Sequence, residues 1–331
     1  MNDQEILIAQ CRDRLGSKSL AHELSDLLGV NLDAAYRRMR GATALTFDEI
    51  KKLCLHFNIS FDSVINYSGS LVPFQFNAMF KEGFSILDYL KGISDQLKLL
   101  TKNENDRFVI TAMDLPYFRQ FGFPGLSRFK LYFWQRSVLN LPEYRNSKFN
   151  HENVNDEYEK LCNNIFRYYH GVASTEIWTP ETLDSTFKQV QYYLESGMFE
   201  TIDTAKVICD EIEQLLQKVE NEAQLGQKIL DTANGRVVRD FELYQSDIFL
   251  SNNSIQAYTG GKVYTYVSFN SFNSLMSFSP HFSEECNAWI EQIRLKSILL
   301  SEVSEKLRYQ YFLGLHVKLN KLRALIDSYD V

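Results

Sequence analysis

Residues 19–41 read SLAHELSDLLGVNLDAAYRRMRG. Leu24, Leu27 and Leu28 fall on one face of a short helix. Gly29 follows, the natural residue for the left-handed turn that closes a helix. After the apolar Val30, Asn31 can cap a second helix, and Asp33 sits in its electropositive first turn. That second helix carries Tyr36, Arg37, Arg38 and Arg40 and stops at Gly41. The stretch therefore predicts two short helices joined by a tight glycine turn.

The flanking sequence extends the pattern. Thr46-Phe47-Asp48-Glu49 is a capping box, a hydroxyl at the N-cap with a carboxylate three residues on. It opens a helix with Ile50, Leu53, Cys54 and Phe57 on one side, and Ser60 can cap a further short helix holding Val64 and Ile65. The order predicts a five-helix domain over residues 1–68 built around a helix-turn-helix. Ser68, Gly69 and Ser70 form a plausible linker, with Pro73 just beyond.

The arrangement resembles the phage-repressor/Cro-type DNA-binding domain over residues 5–66. The matching positions are Leu24, Gly29, Val30, Gly41, Thr46, Phe57, Ile59 and Val64. Three positions depart from it. Ser25 stands where the family often has Ala, and Ala35 where it often has a β-branched residue. Ala21 stands where it often has a Gln used on the DNA. The resemblance implies a recognition helix, 31–40, in the major groove. Its outer side would carry Asn31, Leu32, Asp33, Tyr36, Arg37 and Arg40. Asn pairs with adenine, Arg with guanine, and Leu touches a thymine methyl. Ser17, Lys18 and Ser19 would contact phosphate, and Arg38 would reach the backbone.

Charge sets a limit on this reading. Residues 1–70 hold eight Lys and Arg against nine Asp and Glu, and the whole chain carries −7. The chain is no basic nucleic-acid coat, so any DNA-binding surface must be local.

The 331 residues suggest about two domains. Hydrophobic residues make up 45% and charged residues 23%, which excludes a disordered or collagen-like chain. The first ten residues lack the basic start and apolar run of a secretion signal, and no run of about 18 apolar residues exists to span a membrane. Cys11, Cys54, Cys162, Cys209 and Cys286 are scattered, with no Cys-x-x-Cys pair. Reduced thiols in a cytoplasmic protein are expected.

Residues 71–331 predict a second, larger domain. The part 71–227 reads as helical. Thr179-Pro180 sets a helix start, with Leu183, Phe187, Val190 and Leu194 at helical spacing until Gly197. Ala205, Ile208, Ile212, Leu215, Val219 and Ala223 mark the next helix, which ends near Gly226. The part 231–280 changes period. Runs at 247–251, 254–258 and 262–269 are separated by Asn252-Asn253 and Gly260-Gly261, which predicts an antiparallel meander. RFVITAM at 107–113 reads as a strand that can join it. Helices are expected at 283–300 and 302–326. The fold class is therefore mainly α with a small antiparallel sheet, α+β.

No enzyme constellation emerges. His22, His56, His151, His170, His281 and His316 form no His-Glu-x-x-His motif. Gly125-Leu126-Ser127 lacks the second glycine of a nucleophile elbow. Gly260-Gly261-Lys262 lacks the preceding glycine and the hydroxyl of a phosphate loop. No metal, cofactor or catalytic residue is expected.

Aromatic residues concentrate from Phe108 to Trp134, at spacing that favours core over a ligand pocket. The last helix carries Val303, Leu307, Tyr311, Leu315, Leu319, Leu322 and Ile326, which either cover the sheet or pair with a second copy. Two readings follow. One is a cytoplasmic transcription regulator that binds double-stranded DNA as a homodimer, with room for a small-molecule or peptide effector. The other is a protein- or peptide-binding adaptor with a degenerate helix-turn-helix.

Overall fold

The computed structural model describes every residue except 1, 16–18, 66–71, 82, 101–102, 153–155, 233–234, 249, 271 and 330–331. The expected linker, Ser68 to Ser70, lies outside the described residues. The chain divides into two compact units: Met1–Phe74 with Ser277–Ser279, and Gln75–Met276 with Pro280–Val331. Helix accounts for 55% and strand for 17%, which is the expected α+β class.

The first unit packs α1 (Asp3–Leu15), α2 (Leu20–Leu28), α3 (Leu32–Met39) and α4 (Phe47–Phe57). Leu7, Ile8, Cys11, Leu24, Ala35, Leu53, Phe57, Ile59 and Val64 form its core. The fifth helix expected after Ser60 is a single 3₁₀ turn, Phe61–Ser63. Ser60 makes no capping hydrogen bond there, and the Val64 and Ile65 amides both donate to the Phe61 carbonyl.

The second unit is built on a mixed sheet. Its strands are β1 (Arg107–Ala112), β2 (Ala173–Trp178), β3 (Gln227–Thr232), β4 (Gly235–Gln245), β5 (Ser254–Thr259), β6 (Lys262–Phe269), β7 (Asn273–Ser277) and β8 (Ile298–Leu299). The order is β3-β4-β2-β1-β5-β6-β7, with β8 beside β4. β2 runs parallel to both neighbours, β1 and β4, while β5 and β6 pair antiparallel. Parallel strands need long crossovers, and helices supply them. Between β1 and β2 run α5's successors α6 (Tyr117–Gln120), α7 (Pro124–Phe133) and α8 (Asp156–His170); α5 itself (Ile86–Leu100) precedes β1. Between β2 and β4 run α9 (Asp184–Glu195), α10 (Ile202–Leu225) and β3, and α11 (Pro280–Leu295) and α12 (Glu305–Asp327) close the chain. Both sheet faces are covered. Phe108, Ile110 and Ala112 face the main core, whereas Val109 joins Ile177, Tyr244, Ile290 and Ile293 on the other side.

Several expectations need correction. The sheet is larger and mixed, because β2, β3, β4 and β7 were not read as strands. Asp247, Ile248, Leu250 and Ser251 are in no strand, and Phe249 lies outside the described residues. Asn253 is no hairpin corner either: its side chain brackets Asp114, accepting from the backbone N and donating to the backbone O, each at 2.8 Å. The helix expected from Pro180 begins at Asp184. Thr182 donates its hydroxyl to the Ala112 carbonyl at 2.7 Å and accepts from the Thr179 amide at 2.9 Å, so residues 180–183 close as turns before the helix. The helix expected over 283–300 ends at Leu295, where the chain turns into β8. The Gly260-Gly261 hairpin forms as expected, with φ of +54° and +75°. Most of the aromatic segment is core: Phe118, Phe121, Phe123, Phe129 and Trp134 are buried.

A charged cluster sits inside this core. Arg119 on α6 donates to both Glu176 oxygens at 3.0 Å and to Glu222 on α10 at 2.8 Å. Its guanidinium lies 4.6 Å from the Phe241 ring centre. Glu176 also accepts from the Trp178 indole at 2.9 Å and from the Tyr169 hydroxyl. Lys218 pairs with Glu222 at 3.0 Å. Those two cations balance the two carboxylates, which leaves Lys228 as a surplus amine. Lys228 donates to the Tyr169 carbonyl at 2.9 Å, and burial pushes its pKa down to about 7.

Two measurements test this core. Arg119→Ala leaves two buried carboxylates without their shared cation and should cost about 3–5 kcal/mol in urea unfolding. For Lys228, the unfolded amine titrates near 10.5 and the folded one near 7. Between these values the unfolded chain holds a proton that the folded chain has released, so stability rises with pH across that window. Wild type should therefore gain stability over Lys228→Met from about pH 7.5 to about pH 9.5.

Candidate nucleic-acid interface

The turn between α2 and α3 fixes the geometry of the first unit. Gly29 takes φ +67°, and the amides of Gly29 and Val30 both donate to the Ser25 carbonyl. This is a Schellman-type closure. Ser25, which departs from the resembled pattern, donates its own hydroxyl to the Val30 carbonyl at 2.6 Å. The hydroxyl thus serves the turn in a way that alanine cannot.

α3 then starts on its cap. Asn31 Oδ1 accepts from the Ala34 amide at 2.8 Å, so the amide nitrogen remains to donate elsewhere. Ala35 is fully buried, and its small side chain lets α3 sit close to the core. Asn31, Leu32, Asp33, Tyr36, Arg37 and Arg40 are all exposed, as the spacing predicts. Arg37 pairs with Asp33 at 3.3 Å, one turn apart on that exposed face. Arg40 makes no ion pair among the described residues.

Arg38 has a different role. Its guanidinium pairs with Glu49 at 2.8 Å, with both side chains largely shielded (16% and 14% exposed). It also donates to the Ala34 carbonyl. Glu49 completes the capping box with Thr46 as well. Burial opposes the charge on Glu49, but the Arg38 and Thr46 hydrogen bonds hold its carboxyl below the usual range. Arg38 therefore ties α3 to α4. Ser19, at the start of α2, is exposed and makes no capping bond. Ser17 and Lys18 lie outside the described residues. Ala21 is buried, so that position has no reach beyond the core.

Gln4 escaped the sequence reading. Its amide donates to the carbonyls of Arg38 and Thr43 at 2.8 and 2.9 Å and accepts from the Leu45 amide at 2.9 Å. One side chain of α1 thus clamps the exit of α3. No local signal in the sequence reveals this, because its partners lie 34 to 41 residues away.

Among the described residues no group of His, Cys, Asp and Glu is placed to hold a metal ion, and no helix is long and apolar enough to cross a membrane.

The short, capped second helix behind a left-handed glycine turn is that of a helix-turn-helix-like domain. Comparison agrees at that level: residues 4–79 match the family described as BetR domain, a family of helix-turn-helix-like DNA-binding domains. The match is not specific to the phage-repressor/Cro type that the motif order resembles. No curated protein and no solved structure matches the chain.

The two arginines should separate cleanly. Arg38→Ala should weaken the α3–α4 tie by about 1–3 kcal/mol, seen as faster amide exchange in both helices. Arg40→Ala should change that exchange by no more than about 0.5 kcal/mol.

Proposed function

We propose that this chain is a sequence-specific DNA-binding transcription regulator without catalytic activity, with α3 as its recognition helix. The observation that carries the reading is the exposed face of α3. Leu32, Tyr36, Arg37 and Arg40 stand outward on a helix fixed by Gly29, Gln4 and the Arg38–Glu49 pair. That combination of a braced scaffold with exposed base-reading side chains is what major-groove recognition needs. The BetR match supports it. Arg37 would leave Asp33 to reach a guanine, which is inexpensive because exposed ion pairs contribute little.

We infer that the larger unit supplies a homodimer contact through α12. Tyr309, Leu313 and Val317 repeat every four residues and are exposed. A side chain at Gly314, beside them, would meet nothing within 4 Å. An apolar stripe with a gap for close helix approach suits a second copy of the same helix. Two domains on one particle would also double the contact with a palindromic site.

A protein partner for the first unit is the second reading. It is favoured by the exposure of Phe47, Leu55 and Phe61 (72%, 74% and 40%) and by a domain that lacks positive excess.

Selection of bound fragments from genomic DNA decides between them. Wild type should recover a shared, roughly palindromic site that the Arg37→Ala/Arg40→Ala double variant does not, with affinity falling steeply in salt. Equal recovery by both proteins would instead favour the protein-binding reading. For the dimer, light scattering should give twice 38.6 kDa for wild type and 38.6 kDa for Leu313→Glu/Val317→Glu.

A further inference from the structure

The second unit holds a cavity of about 180 Å³ between α5 and the sheet face formed by β1, β5 and β6. Its walls are apolar and aromatic, including Leu97, Phe108, Ile110, Phe118, Ile255 and Phe272. Three tyrosines, Tyr89, Tyr117 and Tyr266, also line it. Tyr89 spends its hydroxyl on the Phe272 carbonyl at 2.8 Å. The hydroxyls of Tyr117 and Tyr266 make no hydrogen bond to any described residue. Neither hydroxyl is sealed away from solvent, so both are free to donate to an acceptor on a molecule that enters the cavity. Burial raises the pKa of both phenols, so they remain donors.

Asp88, Gly92 and Gln96 follow one another along the exposed side of α5 at the rim. A mid-helix glycine is destabilising relative to alanine. Gly92 has neither a positive φ nor a close neighbour to require it, and a Cβ there would meet nothing within 4 Å. Its bare backbone adds no side chain to this exposed part of the lining.

The lining limits the occupant. Among the described lining residues there is no Lys, Arg, His or Glu, and Asp88 sits exposed at the rim. An anion would be buried without a counter-charge, which is strongly unfavourable. An apolar cavity of about 150 Å³ accepts a benzene ring. The slightly larger volume here, with the two phenols beside Asn, Gln and Ser side chains in its wall, suits one ring plus a small polar substituent.

We propose that this cavity binds a neutral single-ring aromatic compound bearing a hydrogen-bond acceptor, with the Tyr117 and Tyr266 hydroxyls donating to it. The site lies within the second unit and does not rest on what the first unit binds.

Three probes test it on the full chain by ligand-detected NMR and titration: benzamide (neutral, acceptor), toluene (neutral, no acceptor) and benzoate (anionic). Benzamide should bind saturably at one site, and benzoate at least about tenfold more weakly. Tyr117→Phe/Tyr266→Phe keeps the packing and should weaken benzamide about tenfold while leaving toluene unchanged. Gly92→Phe places a ring at an exposed position in the mouth and should abolish binding of both neutral probes without lowering the melting temperature. The site is overturned if no probe binds saturably up to about 10 mM, or if Gly92→Phe leaves binding intact. Benzamide binding that the double Tyr variant does not weaken overturns the donor assignment.

Discussion

The guanidinium of Arg119 holds the larger unit in register. It is 2% exposed and bonded to a carboxylate on each of two elements. Arg119 belongs to the crossover between β1 and β2, and Glu222 to the crossover between β2 and β4. Glu176 belongs to β2, the strand on which both crossovers converge. One cation therefore pins the two longest connections of the sheet to the strand at the centre of its parallel part. A buried charge has few tolerable arrangements, because any slip leaves it unpaired at a cost of several kcal/mol. Hydrophobic burial alone would hold these layers together while leaving their register looser.

That interaction also explains which parts of the fold could be read from the sequence. The first unit was legible because its signals are local: Gly29 closes one helix, Asn31 caps the next, and Thr46 with Glu49 forms a box within four residues. β2, by contrast, reads ASTEIW. Its Glu176 looks like a solvent residue, yet it is fully buried against partners at Arg119 and Tyr169. A carboxylate that faces the core is invisible to hydrophobic periodicity, because its justification lies elsewhere in the chain. β4 is a different case. Phe241 and Leu243 alternate with Glu242 at strand spacing. The period-two signal was there, and Arg236, Arg239 and Asp240 obscured it. The apolar Ile248 and Leu250 drew the strand assignment instead, to a segment that only caps the sheet.

The interface shows the same division. The outward residues of α3 follow from a single helix and its period, so the sequence identifies them. The difference between Arg38 and its neighbours does not follow, since it depends on Glu49, eleven residues later on another helix. Local pattern says where a side chain points. Only tertiary contact says whether its charge is already committed.

This commitment bears on how such a domain could act. Of the two arginines on α3 and the one that ends it, Arg38 is bound to Glu49, Arg37 leans on Asp33, and Arg40 alone makes no ion pair among the described residues. The domain as a whole has no positive excess. Counterion release scales with the number of phosphates neutralised, so a single copy would gain little non-specific affinity. Sequence-specific occupancy would then have to come from direct base contacts and from doubling. Linking two such domains makes the second contact intramolecular and raises affinity without any new charge. A weakly charged reading head is thus better suited to a dimer than to a monomer. On the proposed reading, the same weak charge would lower competition from the excess of non-specific DNA, and discrimination would rest on the few outward residues of α3.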